Sequence, residues 1–145
     1  MIDVRIQSEA FDCVALLTSL EADGVGAISS FMGLVRSDDG VTAIELEHYS
    51  AMTEESLRAV AADAQSRWNL SAAIIVHRVG KMAVGEPIVF VAAASAHRAE
   101  ALAACAFLID RLKTDAPFWK KEYRGDQANW VEVKASDDAR AADWD

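Results

Sequence analysis

The chain has 145 residues, 52% of them hydrophobic, with a mean hydropathy of +0.10 and a formal charge of −9. That is enough apolar chain for one well-buried domain, and it excludes a disordered one. The acidic balance leaves no basic surplus to neutralise phosphates, which excludes general nucleic-acid binding, so any anionic ligand must be held by a local cluster of cations.

Residues 2–7 alternate as a strand, and this N-terminal stretch has no apolar core of signal-peptide length. Phe11, Val14, Leu17 and Leu20 then recur at helical spacing until Asp23-Gly24 ends the pattern. Residues 25–35 form a long strand rich in small residues that runs into Arg36, and Ser37-Asp38-Asp39-Gly40 is a turn. Residues 41–49 alternate strictly, with Ile44, Leu46 and His48 on one face and Glu45, Glu47 and Tyr49 on the other. Thr53 is the expected cap of a helix with Glu54 and Glu55 in its first turn and Leu57, Val60, Ala61, Ala64 and Trp68 along its apolar stripe. Residues 72–79 are strand-like, Gly80 breaks the pattern, and 87–94 form a second apolar strand. The longest apolar run, Ile88 to Ala94, is far too short to span a bilayer, so no membrane partner is expected. Ser95 is the expected cap of the next helix, whose buried stripe would be Leu102, Cys105, Ile109 and Leu112. Phe118–Tyr123 and Trp130–Val133 can pair as a hairpin across Arg124-Gly125-Asp126-Gln127. Residues 1–135 therefore read as a single domain, and 136–145 as an acidic, alanine-rich tail expected to be mobile apart from Trp144. Strands and helices mix without a regular βαβ repeat, which indicates an α+β fold.

The segment Leu112-Lys113-Thr114-Asp115-Ala116-Pro117-Phe118-Trp119-Lys120-Lys121-Glu122 carries the most chemistry. Lys113 ends a helical pattern, Pro117 stops it, and Phe118 and Trp119 lead into an extended segment bearing Lys120. Such a corner can turn two amines toward one pocket, where repulsion and partial burial would lower their pKa values into the range useful for proton transfer. Two surface lysines bracketing a turn are the plainer alternative. His97 and Arg98 open a helix, where backbone N–H groups favour an anion and where cations are otherwise misplaced. Arg36 closes a long strand, and pairing with Asp38 or Asp39 is its simplest role. Phe31, Met32, Phe118 and Trp119 can serve as core or line a pocket for a flat ring. Cys13 and Cys105 are far apart and suit small buried hydrophobes in a cytosolic protein with reduced thiols. His48, His77 and His97 lack metal-ligand spacing and no glycine-rich phosphate loop is present, so no metal and no resident cofactor is expected.

Phe31-Met32-Gly33-Leu34-Val35-Arg36, Leu46 through Thr53, His77-Arg78-Val79-Gly80, Ser95-Ala96-His97-Arg98 and Leu112 through Glu122 occur in that order. Together they resemble the large, catalytic subunit family of molybdopterin synthase, over about residues 25–133. The resemblance implies an α/β-hammerhead type of α+β fold with an additional β-hairpin region. It also implies a cytoplasmic homodimer in which each copy binds a ubiquitin-like sulfur-carrier small subunit, giving a heterotetramer. That partner's thiocarboxylated C-terminal glycine would deliver sulfur to cyclic pyranopterin monophosphate, making the dithiolene of molybdopterin. The family's essential lysines fall on Lys113 and Lys120, its anion-binding residues on Arg36, His97 and Arg98, and further substrate contacts on Leu34, Val35, Lys121 and Glu122. Leu34 stands where the family can carry a basic residue, and Lys134 where an arginine can occur. Two other functions fit the same cations: a lyase using Lys113 as a Schiff base, and a non-catalytic dimeric anion-binding module.

Overall fold

A computed structural model describes residues 1–48, 50–116, 118–131 and 142–144. Its elements run β1 (Ile2–Gln7), α1 (Cys13–Thr18), β2 (Ala27–Leu34), β3 (Ala43–His48), α2 (Ser50–Arg67), β4 (Ala72–Arg78), β5 (Gly80–Ala83), β6 (Pro87–Ser95), α3 (Arg98–Asp115), β7 (Phe118–Arg124) and β8 (Gln127–Val131). They build two four-stranded sheets, ordered β1-β4-β6-β2 and β5-β3-β7-β8. Only β1 and β4 pair in parallel, so the fold is α+β of the hammerhead type, with β7 and β8 as the additional hairpin.

The first sheet is the scaffold, and its two central strands explain why their sequences are unbroken apolar runs: both faces are covered. Ala73, Ile75, Val89, Val91 and Ala93 pack against Leu57, Ala61 and Ala64 of α2 and Ala104, Phe107 and Leu108 of α3. The alternate residues Ile74, Val76, Phe90, Ala92 and Ala94 face Leu16 and Leu20 on the other side. The second sheet has a smaller core of Val35, Val41, Ile44, Leu46 and Met82. Gly80 joins the two sheets: β4 ends at Arg78, and Gly80, at φ +88°, turns the chain straight into β5, a conformation that a β-carbon would strain.

Several sequence expectations are corrected. The buried residue of α1 is Leu16, with Leu20 buried just past the helix, while Val14 is exposed; Asp12 caps the helix by accepting from Ala15 N. Thr53 is not a cap: α2 begins at Ser50, and Thr53 is fully buried one turn inside. Ser95 is not the cap of α3 either. It ends β6, and its hydroxyl donates to Glu100 at 2.5 Å, while His97 occupies the cap position. Leu102 is 60% exposed, and its expected place on the stripe is taken by Ala101, Ala104, Phe107 and Leu108. The hairpin forms, with β7 extending to Arg124 and β8 beginning at Gln127. Tyr49, Pro117, Val133, Lys134 and the boundary expected between residues 135 and 136 lie outside the described residues. Trp144 packs edge-on against Trp68 and Phe107, and its indole N–H donates to Asp110 at 2.8 Å.

Candidate active site

The two sheets diverge where β2 leaves the first and β7 enters the second, and a cleft of about 500 Å³ opens there. Its floor is apolar, with Phe31, Met32, Leu46, Ile88 and Leu112 among its lining, and its cations come from three segments. Arg36 follows β2, where the register against β6 shifts between Gly33 and Leu34 and the strand swings out of the sheet. Lys113 lies in the last turn of α3, where a cation suits the helix dipole. Lys120 comes from β7. The α3–β7 bend therefore turns Lys113 and Lys120 onto one cavity, and Leu34, Val35 and Glu122 line it too.

Strand geometry divides the rest of the lysine motif. Successive side chains of a strand point to opposite faces, so Phe118, Lys120 and Glu122 share the cleft face. Trp119 and Lys121 fall on the other. Lys121 Nζ lies 4.8 Å from the Trp130 ring centroid, and Trp119 meets Trp130 edge-on. Neither of these two lines the cleft of the single chain.

His97 and Arg98 are separated from it as well. At 1.5 Å per residue, the 18 residues of α3 span about 27 Å, with Arg98 at one end and Lys113 near the other. Both His97 and Arg98 are exposed. The turn that carries them is fixed by Ser95 and by Gly26, whose N–H donates to Ser95 O at 3.0 Å. A β-carbon on Gly26 would lie only 2.2 Å from Ala96 O, so no larger residue fits there. One chain thus gathers Arg36, Lys113 and Lys120 but not His97 and Arg98.

The cations in the cleft have loose internal partners. Arg36 Nη2 pairs with Asp38 at 3.0 Å, as its simplest sequence reading held, with both side chains well exposed. Lys120 Nζ lies 3.7 Å from Glu122, which also accepts from Arg124 at 3.3 Å. Lys113 is exposed and Lys120 is about one-third exposed, so the chain by itself does not supply the burial that the motif suggested.

His77 also lines the cleft, a place that reading the residues alone did not assign to it. It is 3% exposed, stacked on Phe118 with centroids 3.9 Å apart, and its Nδ1 is 2.8 Å from Arg78 O. Burial lowers its pKa from 6.5 to about 3; the bond to the Arg78 carbonyl opposes this, while the nearby charges of Lys113 and His48 add to it. One polar residue ending the apolar run from Ala72 to Val76 was the available signal. The thiols are inert by comparison: burial raises the pKa of Cys105, and burial together with Asp12 raises that of Cys13.

The family model described as MoaE protein matches residues 6–115. A molybdopterin synthase catalytic subunit from Mesorhizobium japonicum is 49% identical, covering 97% of this chain and 92% of its own length. Its counterpart from Pseudomonas aeruginosa is 48% identical, with 98% of both chains covered. The solved structure of molybdopterin cofactor biosynthesis protein E from Burkholderia multivorans superposes with a TM-score of 0.86 at 45% identity, covering 99% of this chain and 97% of that one. Matched across nearly its full length in sequence and in fold, this chain belongs to the MoaE protein family.

Proposed function

We propose that this chain is the catalytic subunit of a molybdopterin synthase, which transfers sulfur from the thiocarboxylated C-terminus of a ubiquitin-like small subunit to cyclic pyranopterin monophosphate. One observation carries the reading: Lys113, Lys120 and Arg36, drawn from three distant segments, converge on a single cleft with an apolar floor. A flat, phosphorylated substrate and an anionic peptide tail need that combination of surfaces. Each sulfur transfer passes through a tetrahedral, negatively charged intermediate, and two ammonium groups on either side of the cleft would stabilise it and exchange protons with it. Arg36 would hold the phosphate, giving up its exposed pairing with Asp38. The exposure of Lys113 fits this scheme, because the arriving tail would itself exclude water from the amine. Neither the Schiff-base lyase nor the anion-binding module draws support from the relatives.

The displaced His97 and Arg98 complete the cleft if they come from a second copy. Ala27 of β2 pairs with Ser95, next to His97, while the other end of β2 leads to Leu34 and Arg36 in the cleft. β2 is an edge strand exposing Ile28, Phe31, Met32 and Leu34. A two-fold axis across it would bring the His97 end of one copy to the cleft end of the other. The lengths agree: eight extended residues span about 26 Å, close to the length of α3. The working unit would then be a homodimer, or a heterotetramer with its small subunits.

Reconstitution tests the assignment. The purified chain, mixed with a thiocarboxylated small subunit and cyclic pyranopterin monophosphate, is expected to form molybdopterin. Failure to do so with a partner competent toward a known synthase would overturn it.

A further inference from the structure

The turn that carries His97 and Arg98 is built more firmly than an exposed loop requires. Ser95 is fully buried at the end of β6, and its hydroxyl donates to Oε2 of Glu100, the third residue of α3, at 2.5 Å. That bond closes a loop around residues 96–99, all four of them exposed, while Glu100 itself is half-buried. A glutamate at this helical position commonly reaches back to the backbone N–H of the cap residue; here it reaches two residues further, to a buried hydroxyl. A second hold comes from the residue just before β2. Gly26 N–H donates to Ser95 O at 3.0 Å, and its missing β-carbon lets the Ala96 carbonyl lie against it. The His97 side chain makes no capping bond, so the helix start is held by Ser95, Glu100 and Gly26 rather than by the cap residue.

We propose that Glu100 is a positioning residue for the His97–Arg98 pair: its bond to the buried Ser95 hydroxyl pins both feet of the turn and presents the two cations in one fixed geometry to the substrate phosphate in a second copy's cleft. This deepens the sulfur-transfer reading, and rests on it and on the two-copy arrangement for its catalytic meaning. A phosphate site gains when its cations are ordered beforehand, because less backbone and side-chain freedom is then lost on binding. The bond also eases an electrostatic conflict. A carboxylate two residues from Arg98 is a rival to the phosphate for the guanidinium, and the rivalry weakens when Ser95 engages one of its oxygens. The same carboxylate puts a negative charge in the first turn of α3, where the helix dipole favours it and where the neighbouring cations are disfavoured.

Two variants separate the bond from the charge. Glu100→Gln keeps an oxygen that accepts from Ser95 and removes the charge, while Glu100→Ala removes both. In the reconstituted reaction, Glu100→Ala is expected to raise KM for the pterin about three- to tenfold with kcat within about twofold, and Glu100→Gln to restore most of the loss. Ser95→Ala should raise KM to the same extent, and the double variant no further, because both substitutions remove one bond. Wild-type KM in a folded Glu100→Ala, additive effects in the double variant, or a Glu100→Gln as impaired as Glu100→Ala would overturn the role. A second readout needs no activity. Nitrogen-15 relaxation should give residues 96–99 rigid order parameters of about 0.85 in the wild-type protein and in Glu100→Gln, falling below about 0.6 in Glu100→Ala. Rigid values in Glu100→Ala would show that Gly26 suffices and would sink the clamp. Lost order with an unchanged KM would leave a structural bond and overturn the positioning role. If the relaxation pattern holds while the wild-type chain makes no molybdopterin, the functional assignment falls and the clamp stands.

Discussion

The two ends of α3 carry cations in opposite settings. At the C-terminal end, Lys113 sits where the helix dipole favours it, beside a packed bend and a cleft. At the N-terminal end, His97 and Arg98 sit where the dipole opposes a cation, on an exposed turn at which the His97 side chain makes no capping bond. Lys113 has a structural reason to be where it is; the N-terminal pair has none within one chain. Residues that local energetics disfavour and that the cleft of their own chain does not use are the ones expected to act elsewhere. On the proposed two-copy arrangement, α3 is a spacer that presents cations to two different cavities.

The largest effect should come from the C-terminal end. Lys113→Ala or Lys120→Ala is expected to reduce the reconstituted rate by about 10²–10⁴, the range typical of a positioned acid–base group, with the fold intact. Arg98→Ala should cost as much only if its charge reaches a cleft. Mixing Lys113→Ala with Arg98→Ala chains then breaks or confirms the two-copy arrangement. After subunit exchange, half the dimers are mixed and each has one intact site, so about a quarter of wild-type activity should return. If both residues served the same copy's cleft, no activity would return.

How much of this was legible depends on whether the signal was local. The apolar runs of β4 and β6, the α2 stripe and the β7–β8 hairpin follow from periodicity and turn chemistry within a few residues. The four-residue β5 was missed because it is too short to show a period and exists through pairing with β3. In α3, an apolar residue every few positions allowed more than one stripe, and Leu102 was chosen where Ala101, Ala104 and Leu108 are buried. Small alanines signal burial poorly, yet here they let the helix approach the sheet. The bend bearing Lys113 and Lys120 was readable because proline and aromatics mark it in sequence. The separation of Lys121 from Lys120 follows from strand alternation alone, and that of Arg98 from Lys113 from helix length. His77 was not readable as a site residue, because its stack on Phe118 joins residues far apart in the chain.

The same contrast within α3 can be sharpened by truncation. Leu108→Ala removes a fully buried side chain from the face packed on the first sheet and should cost about 2–5 kcal/mol in denaturant unfolding. Leu102→Ala, on the exposed face, should stay within about 0.5 kcal/mol. A large loss at Leu102 that depends on protein concentration would instead place that face in a subunit contact.

Acid should weaken the fold through the cleft as well. His77 has its folded pKa lowered from 6.5 to about 3, so below pH 6.5 the unfolded chain binds a proton that the folded chain refuses. The stability due to this group is fully present above pH 6.5 and falls by up to about 1.4 kcal/mol per pH unit as the pH drops toward 3. Glu86, lowered by its bonds to Ala83 N and Arg78, loses stability in the same direction at lower pH. Unfolding of His77→Phe should show a shallower slope between pH 6 and about pH 4, where the wild-type imidazole is the refused site. An unchanged slope would mean that the carboxylates alone govern the acid limb.

The smallest effect concerns the third cation of the cleft. Arg36 is held by Asp38 at 3.0 Å, with side chains 71% and 60% exposed, and a pair so open to water contributes about 0–1 kcal/mol. Asp38→Asn should therefore leave unfolding nearly unchanged. Its effect should appear in binding, because on the proposed reading Asp38 would compete with the incoming phosphate for the same guanidinium. Removing that competitor should lower KM for the pterin by no more than about fivefold, leave kcat alone, and shrink with added salt. A rise in KM would mean that Asp38 orients Arg36 for the phosphate, and the exposed pair would then belong to the working arrangement of the site.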